Sequence, residues 1–360
     1  MKTKDMKKKQ TFLKSLLFAI LFSAPLTASA QDVLINETNF PDENFRLWLF
    51  EQDYGKDGIL TEREISGITY IDIGWQNISN LTGIEHFTAL RDLYCDGNQL
   101  TTLDMSGCTA LTDLYCLKNQ LTTLDVSGCT ALKVLYCHSN QLTTLDVSGC
   151  VALEALVCGS NQLTALDVSK NTALTSLSCE SNQLTALDVS KNTVLTGLHC
   201  VSNQLATLDV SNHIALEMLN CSYNQLATLD VSGCAALTEL YCHNNQIKGA
   251  GMDALIASLP QTEGGQLYVC SLYELYEGNV CTKKQVAAAK EKNWIPLFYN
   301  LLDWIEYEGV DDEETSIAQL ATETVDADAP VYTLSGQKVT GSIKGKKGVY
   351  IVGGKKVVVK

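Results

Sequence analysis

The dipeptide Asn-Gln recurs at Asn98, Asn119, Asn140, Asn161, Asn182, Asn203, Asn224 and Asn245, always at the same 21-residue step and with no insertion. A cysteine keeps that step: Cys95, Cys116, Cys137, Cys158, Cys179, Cys200, Cys221 and Cys242. A strict period of that length means stacked coils. One such coil cannot bury its own apolar edge, so it gains a core only by lying on the next. Successive strands then stand ~4.8 Å apart in a parallel sheet. A stack of this kind absorbs much of a 360-residue chain without needing a second core.

Each coil reads like the run from Leu111 through Leu114, Cys116, Asn119, Leu121 and Leu124 to Asp125, and the starts fall at Leu90, Leu111, Leu132, Leu153, Leu174, Leu195, Leu216 and Leu237. Ile68, Ile71, Ile73 and Ile78 fit the same frame one coil earlier, with Gln76 in the asparagine slot. Leu114 and Cys116 are expected to point inward from a short strand, and the asparagine to satisfy backbone groups that the turn leaves without strand partners. This frame, L-x-x-L-x-L-x-x-N-x-L, resembles the leucine-rich repeat. The 21-residue step, with cysteine in the third apolar slot, resembles the cysteine-ladder internalins of bacterial surfaces. The resemblance covers residues 68–247. It implies a mainly β solenoid with a parallel sheet on its concave face, and a protein partner bound there.

The ends of the chain differ from the stack. Lysines at 2, 4, 7, 8, 9 and 14, the apolar run Leu16 to Phe22 and the small residues Ala28-Ser29-Ala30 read as a signal peptide over residues 1–30. The apolar run is too short to anchor in a bilayer, and no later run reaches the ~18 residues of a spanning helix. The segment carries no cysteine for a lipoprotein anchor.

Residues 31–67 read as a helical N-terminal cap, with Phe45, Leu47, Leu49 and Phe50 available to cover the first coil and a capping box at Thr61 to Glu64. Residues 248–309 read as an α/β C-terminal cap. It has a helix at Met252 to Leu259, a strand at Leu267 to Val269, a second capping box at Thr282 to Gln285 and aromatic strands from Trp294 to Tyr307. Ten acidic residues and no Lys or Arg mark 302–328, with an acidic linker at 310–328. The tail, 329–360, alternates like β strands and contains seven lysines. It resembles the C-terminal sorting domain of the type IX secretion route of some Gram-negative bacteria, of which it has only the last few strands. That resemblance implies a secreted protein or one on the outer-membrane surface.

The formal charge is −15, and loss of residues 1–30 with their six lysines and Asp5 takes it near −20. Nucleic acid, which needs a basic stripe, is excluded as a partner. Fourteen cysteines in an exported chain suggest disulfides. Stacked neighbours, however, have parallel Cβ vectors and occupy a core slot, which favours a ladder of buried thiols. A second series, Cys108, Cys129, Cys150 and Cys234, shares its slot with Asn171, Asn192 and His213 and is expected to be half-buried at most. Cys270 and Cys281 lie outside both series and are open to bridging.

No Cys-x-x-Cys pair occurs, and in Cys137-His138, His199-Cys200 and Cys242-His243 strand alternation turns the two side chains apart. No nucleophile–base pair or phosphate loop is found, so the chain is read as no enzyme. The loop from Asp53 to Glu64 resembles an EF-hand or dockerin calcium loop, with Asp53, Asp57 and Glu64 as the metal ligands. It lacks a side-chain oxygen at its third position, Gly55. A tight turn before a capped helix explains the same residues, so calcium is the only cofactor weighed.

Asp104, Asp125, Asp146, Asp167, Asp188, Asp209 and Asp230 form a column whose neighbours repel by ~0.8 kcal/mol per pair in water. Capping the amides of the following turn is their expected role. Variation between coils is concentrated beside the inward strand positions, on the concave side, while the return segment hardly changes. The candidate ligand-binding residues there are Tyr94, Tyr115, Tyr136, Leu117, Val134, His138, His199 and Tyr241. Rigid aromatic side chains suit a protein interface and would equally stack on sugar rings. A protein ligand is therefore expected and a glycan is the alternative, for a chain taken as a monomer.

Overall fold

The computed structural model describes residues 32–271 and 277–311, together with strand residues 331–333, 338–339, 348–352 and 355–359 of the tail. The residues read as a signal peptide and most of those read as an acidic linker lie outside the described residues. Among the described residues no helix is long and apolar enough to cross a membrane.

Strands β1 (Val33–Leu34) and β2 (Ile59–Leu60) pair antiparallel around helix α1 (Glu43–Glu51), and α2 (Glu62–Ile65) follows. Asp42 caps α1 by accepting the Phe45 amide, and its second oxygen accepts the amide and hydroxyl of Ser79. One carboxylate thus ties the cap to the first coil. Phe45 and Leu49 are fully buried, but Leu47 and Phe50 are not: they are 54% and 40% exposed. The apolar stripe of α1 is narrower than the sequence suggests, because only one side of the helix meets the first coil.

The coils follow as β3 (Tyr70–Asp72), β4 (Asp92–Tyr94), β5 (Thr102–Asp104), β6 (Asp113–Tyr115), β7 (Thr123–Asp125), β8 (Val134–Tyr136), β9 (Ala155–Val157), β10 (Ser176–Ser178), β11 (Gly197–His199), β12 (Met218–Asn220) and β13 (Glu239–Tyr241). All except β5 and β7, which pair with each other on the return side, join one parallel sheet. Its register is uninterrupted: Ile71, Leu93, Leu114, Leu135, Leu156, Leu177, Leu198, Leu219 and Leu240 align as one inward column. Helix α3 (Ala250–Ser258) then replaces the thin return, and β14 (Gly265–Ser271) continues the sheet with Leu267 opposite Leu240. Helix α4 (Lys283–Glu291) starts at the Thr282 capping box, β15 (Trp294–Tyr299) is parallel to β14, and β16 (Trp304–Glu306) turns back antiparallel. Val310, assigned to the linker by composition, is bridged to Thr282 and accepts the Lys283 amide, so the cap reaches that far. In the tail, β17 (Val331–Thr333), β18 (Lys338–Val339), β19 (Gly348–Val352) and β20 (Lys355–Val359) form an antiparallel sheet in the order β18-β17-β19-β20.

The interior is held by two polar ladders. In the first, the Asn119 amide donates to the carbonyls of Cys95 (2.9 Å) and Cys116 (3.1 Å), and its oxygen accepts the Leu100 amide (3.0 Å). Each asparagine therefore bridges its own coil to the one before, at backbone groups that the short strands cannot pair. The ladder runs past the repeats: Asn279 donates to Cys242 and Val269 and accepts from Ile247. At the other end the Gln76 side chain takes no part, although the Gln76 backbone amide donates to Asn98 Oδ1 at 3.1 Å. That side chain is exposed and bonds locally to Gly74, and Asn98 serves the first coil through Ile73 and Ile78. The residue before each asparagine is left-handed, from Gly97 (φ 65°) to Asn244 (φ 55°).

The second ladder corrects the expected half-burial of the Cys108 series. Cys108, Cys129, Cys150, Asn171, Asn192, His213 and Cys234 are all buried. Polarity is tolerated because each side chain reaches a backbone carbonyl of the preceding coil. Cys129 Sγ meets Met105 O at 3.2 Å, Asn171 Nδ2 meets Val147 O at 2.9 Å, and His213 Nε2 lies 3.1 Å from Val189 O. Thiol, amide and imidazole are interchangeable donors there. All fourteen cysteines, Cys270 and Cys281 included, are buried free thiols, and burial pushes Cys129 up to about 12.

The aspartate column sits outside, each carboxylate accepting the amide two positions on, as Asp104 does from Ser106 and Asp230 from Ser232. The hydroxyl and amide of Ser148 hold Asp146 below the usual carboxylate range.

Candidate functional site

Each short strand of the sheet buries its central leucine or isoleucine and turns its two flanking residues outward. Because the strands are in register, the residue after each leucine forms one column: Tyr94, Tyr115, Tyr136, Val157, Ser178, His199, Asn220, Tyr241 and Tyr268. Tyr94 and Tyr115 stack with ring centroids 4.5 Å apart and planes within 5°, and Tyr136 meets Tyr115 edge-on at 5.0 Å. Both contacts have the geometry that aromatic pairs favour.

The eight candidate residues do not form one site. Tyr94, Tyr115, Tyr136, Leu117, Val134 and His138 gather on β4 to β8 and the turns that follow, all half-buried. His138 lies 6.3 Å from the Tyr136 ring, and burial lowers its pKa. His199 stands apart in the column between Ser178 and Asn220. Tyr241 belongs to a second cluster. It stacks on Tyr268 at 3.8 Å, and Trp304 packs edge-on against Tyr268 (4.8 Å) and against His243 (5.0 Å). His243 is buried there, and desolvation lowers its pKa to about 4.

Two aromatic residues escape a search of the regular repeats. Tyr70, 56% exposed, lies 5.6 Å from Tyr94 and extends the stack to the first strand. Trp75, 65% exposed, lies against Gly97: a Cβ there would stand 2.3 Å from the indole. Aligning Ile71 with Leu93 would have placed both, but the first coil is one residue longer than the others and breaks the count. The Lys118 ammonium sits 5.7 Å from the Trp75 ring centroid.

The three residues of the calcium-type loop have separate engagements. Asp53 pairs with Lys56, Asp57 accepts the Ile59 amide, and Glu64 accepts both the amide and the hydroxyl of Thr61. Among the described residues, no group of three or more His, Cys, Asp or Glu side chains is placed to hold a metal ion.

No protein-family model matches the sequence, and no curated protein is significantly similar to it. Solved structures are similar. The functional domain of InlJ from Listeria monocytogenes, described as including a cysteine ladder, is 33% identical over 62% of this chain and 60% of that one, with a TM-score of 0.39. A leucine-rich-repeat protein of Leptospira interrogans is 22% identical over 65% and 62%, with a TM-score of 0.55. Internalin C2 of Listeria monocytogenes is 25% identical over 59% and 96%, with a TM-score of 0.47. The chain thus spans about three fifths of the length of the first two. With its 21-residue coils and continuous parallel sheet, the chain has the leucine-rich-repeat fold.

Proposed function

We propose that this chain is an exported leucine-rich-repeat protein that binds a partner protein through the concave, sheet-bearing face, without catalysis. One observation carries the reading: variation from coil to coil is concentrated on the outward sheet positions, where a half-exposed tyrosine stack stands on a nearly constant scaffold. Rigid aromatics lose little entropy on binding and are typical interface anchors. Residues 1–30 and the alternating tail support export to the surface of a Gram-negative bacterium by the type IX route. Deleting residues 329–360 is expected to abolish surface display. Calcium has no role in this proposal, since Glu64 is already bonded to Thr61, and a calorimetric titration with calcium should give no heat.

The test is a pull-down of surface proteins by the wild-type chain, run beside a glycan array. Capture of a protein that is lost when Tyr94, Tyr115 and Tyr136 are all changed to alanine supports the proposal. Binding to the array with no protein captured replaces it with a glycan-binding function.

A further inference from the structure

The outward positions within the strands of the sheet carry charge of one sign, with Arg91 and Lys133 one residue before the strands, beside Asp92 and near Asp113. In the three columns through Asp92, Tyr94 and Asp96, from β3 to β13, the charged residues are Asp72, Asp92, Asp96, Asp113, Glu180 and Glu239, with no Lys or Arg. Four of the six belong to the first three coils, which carry Tyr70, Tyr94 and Tyr115. Asp92 and Asp113 are direct neighbours in register. Asp72 and Asp96 face each other across Gly74, where a Cβ would stand 3.4 Å from one carboxylate oxygen and 3.2 Å from the other. Glycine keeps the space between those carboxylates open.

Beside that gap lies Trp75, fixed flat against Gly97, and the chain's own Lys118 ammonium sits above its ring. The platform therefore already holds one cation of the kind that aromatic faces attract. An aromatic row flanked by carboxylates matches a long cationic side chain, whose apolar stem lies on rings while its head reaches an anion.

We infer that the N-terminal third of this sheet face, from Tyr70 to Tyr136, docks a lysine- or arginine-rich segment of a partner polypeptide, with its cationic heads at Asp72, Asp92, Asp96 and Asp113. The inference rests on the reading that this face binds a protein, and adds the chemistry of that protein. The negative field would also speed encounter with such a partner and make binding sensitive to salt.

The experiment titrates an octalysine peptide onto the full chain by calorimetry at low salt. Asp72→Asn/Asp96→Asn keeps both shapes and the Asp72 oxygen that accepts the Gly74 amide. Affinity is expected to fall about tenfold in this double variant, and about tenfold for the wild type when salt screens the exposed charges. The Tyr94, Tyr115, Tyr136 triple alanine variant should lose saturable binding, and unchanged thermal melting confirms that the Asn variant is folded. Absence of octalysine binding at low salt overturns the inference. So does binding that neither variant weakens, which would place the peptide on the acidic segment 302–328. If a captured partner protein depends on the tyrosines but not on Asp72 or Asp96, and octalysine does not displace it, this inference fails while the broader reading stands. Capture that ignores the tyrosines removes both.

Discussion

The two aromatic clusters occupy the same column of the same sheet and their tyrosines are alike half-buried, yet only one is packed by a returning strand. At the C-terminal end Tyr241 and Tyr268 stack as Tyr94 and Tyr115 do, but the chain then folds back. Asn300 accepts the amides of Leu302 and Asp303, tightening the turn after β15, and β16 returns with Trp304 against Tyr268, His243 and Tyr299. At the N-terminal end no later described strand covers the rings. A tyrosine at an outward strand position is thus a cap element or a docking element according to what the chain does next. The residue itself does not decide.

The largest expected effect separates these roles. Removing all three N-terminal tyrosines should weaken a captured partner at least ~100-fold, near 3 kcal/mol, with stability falling by only about 1–2 kcal/mol, mostly lost ring contacts. Trp304→Ala should invert the pattern. It uncovers two rings and a buried imidazole, so denaturant unfolding should show a loss of about 2–3 kcal/mol while partner affinity stays within about twofold. A Trp304 variant that keeps its stability, or that loses the partner, would erase the distinction.

The covered cluster holds the more deeply buried histidine, so it should respond to pH more strongly than the open one with its half-buried His138. His243 stays neutral in the fold down to about 4 because it is desolvated, whereas in the unfolded chain it takes up a proton near 6.5. Its folded value is depressed, so the stability it permits is complete above pH ~6.5 and is lost as pH falls towards 4. At about 1.4 kcal/mol per unit, that amounts to roughly 2 kcal/mol by pH 5. The carboxylates held low by their serines, such as Asp146, lose stability only below about pH 4, outside this window. Glu277, pushed up to about 7 by burial, takes up its proton in the same window and favours the fold as pH falls, but it does so in both proteins. From pH 7 to pH 5 the melting temperature of the wild type should therefore fall relative to that of His243→Gln. Equal slopes in the two proteins would remove His243 as the cause.

What was legible in the sequence follows the repeat. The 21-residue step determines the register, so the inward leucines, the asparagine ladder, the aspartate caps and the tyrosine column can all be read by counting. Reading failed where the count is broken. Tyr70 and Trp75 lie in a coil one residue longer than the regular ones, and Asn279 serves the ladder from a position out of step with Asn245, after a helix has replaced the return. Trp304 reaches the column from an antiparallel strand that no period describes. The burial of Asn171, Asn192 and His213 is hidden for a different reason: a polar side chain suggests exposure, but here a carbonyl of the preceding coil accepts from each of them.

The slot of that second ladder can itself be tested at Cys129. The Cys129 thiol reaches Met105 O, as Asn171 reaches Val147 O. Cys129→Ala leaves that buried carbonyl without its donor and adds a small void, which should cost about 1–2 kcal/mol in urea unfolding. Cys129→Asn restores the donor. In exchange it buries an amide oxygen with no partner, the condition in which Asn171 and Asn192 already stand. The two terms oppose, so the asparagine variant should lie within about 1 kcal/mol of the wild type and above the alanine variant. If size and apolarity were what the slot requires, alanine would be the milder change. The order of the two variants therefore decides whether this column is a hydrophobic seam or a row of hydrogen-bond donors.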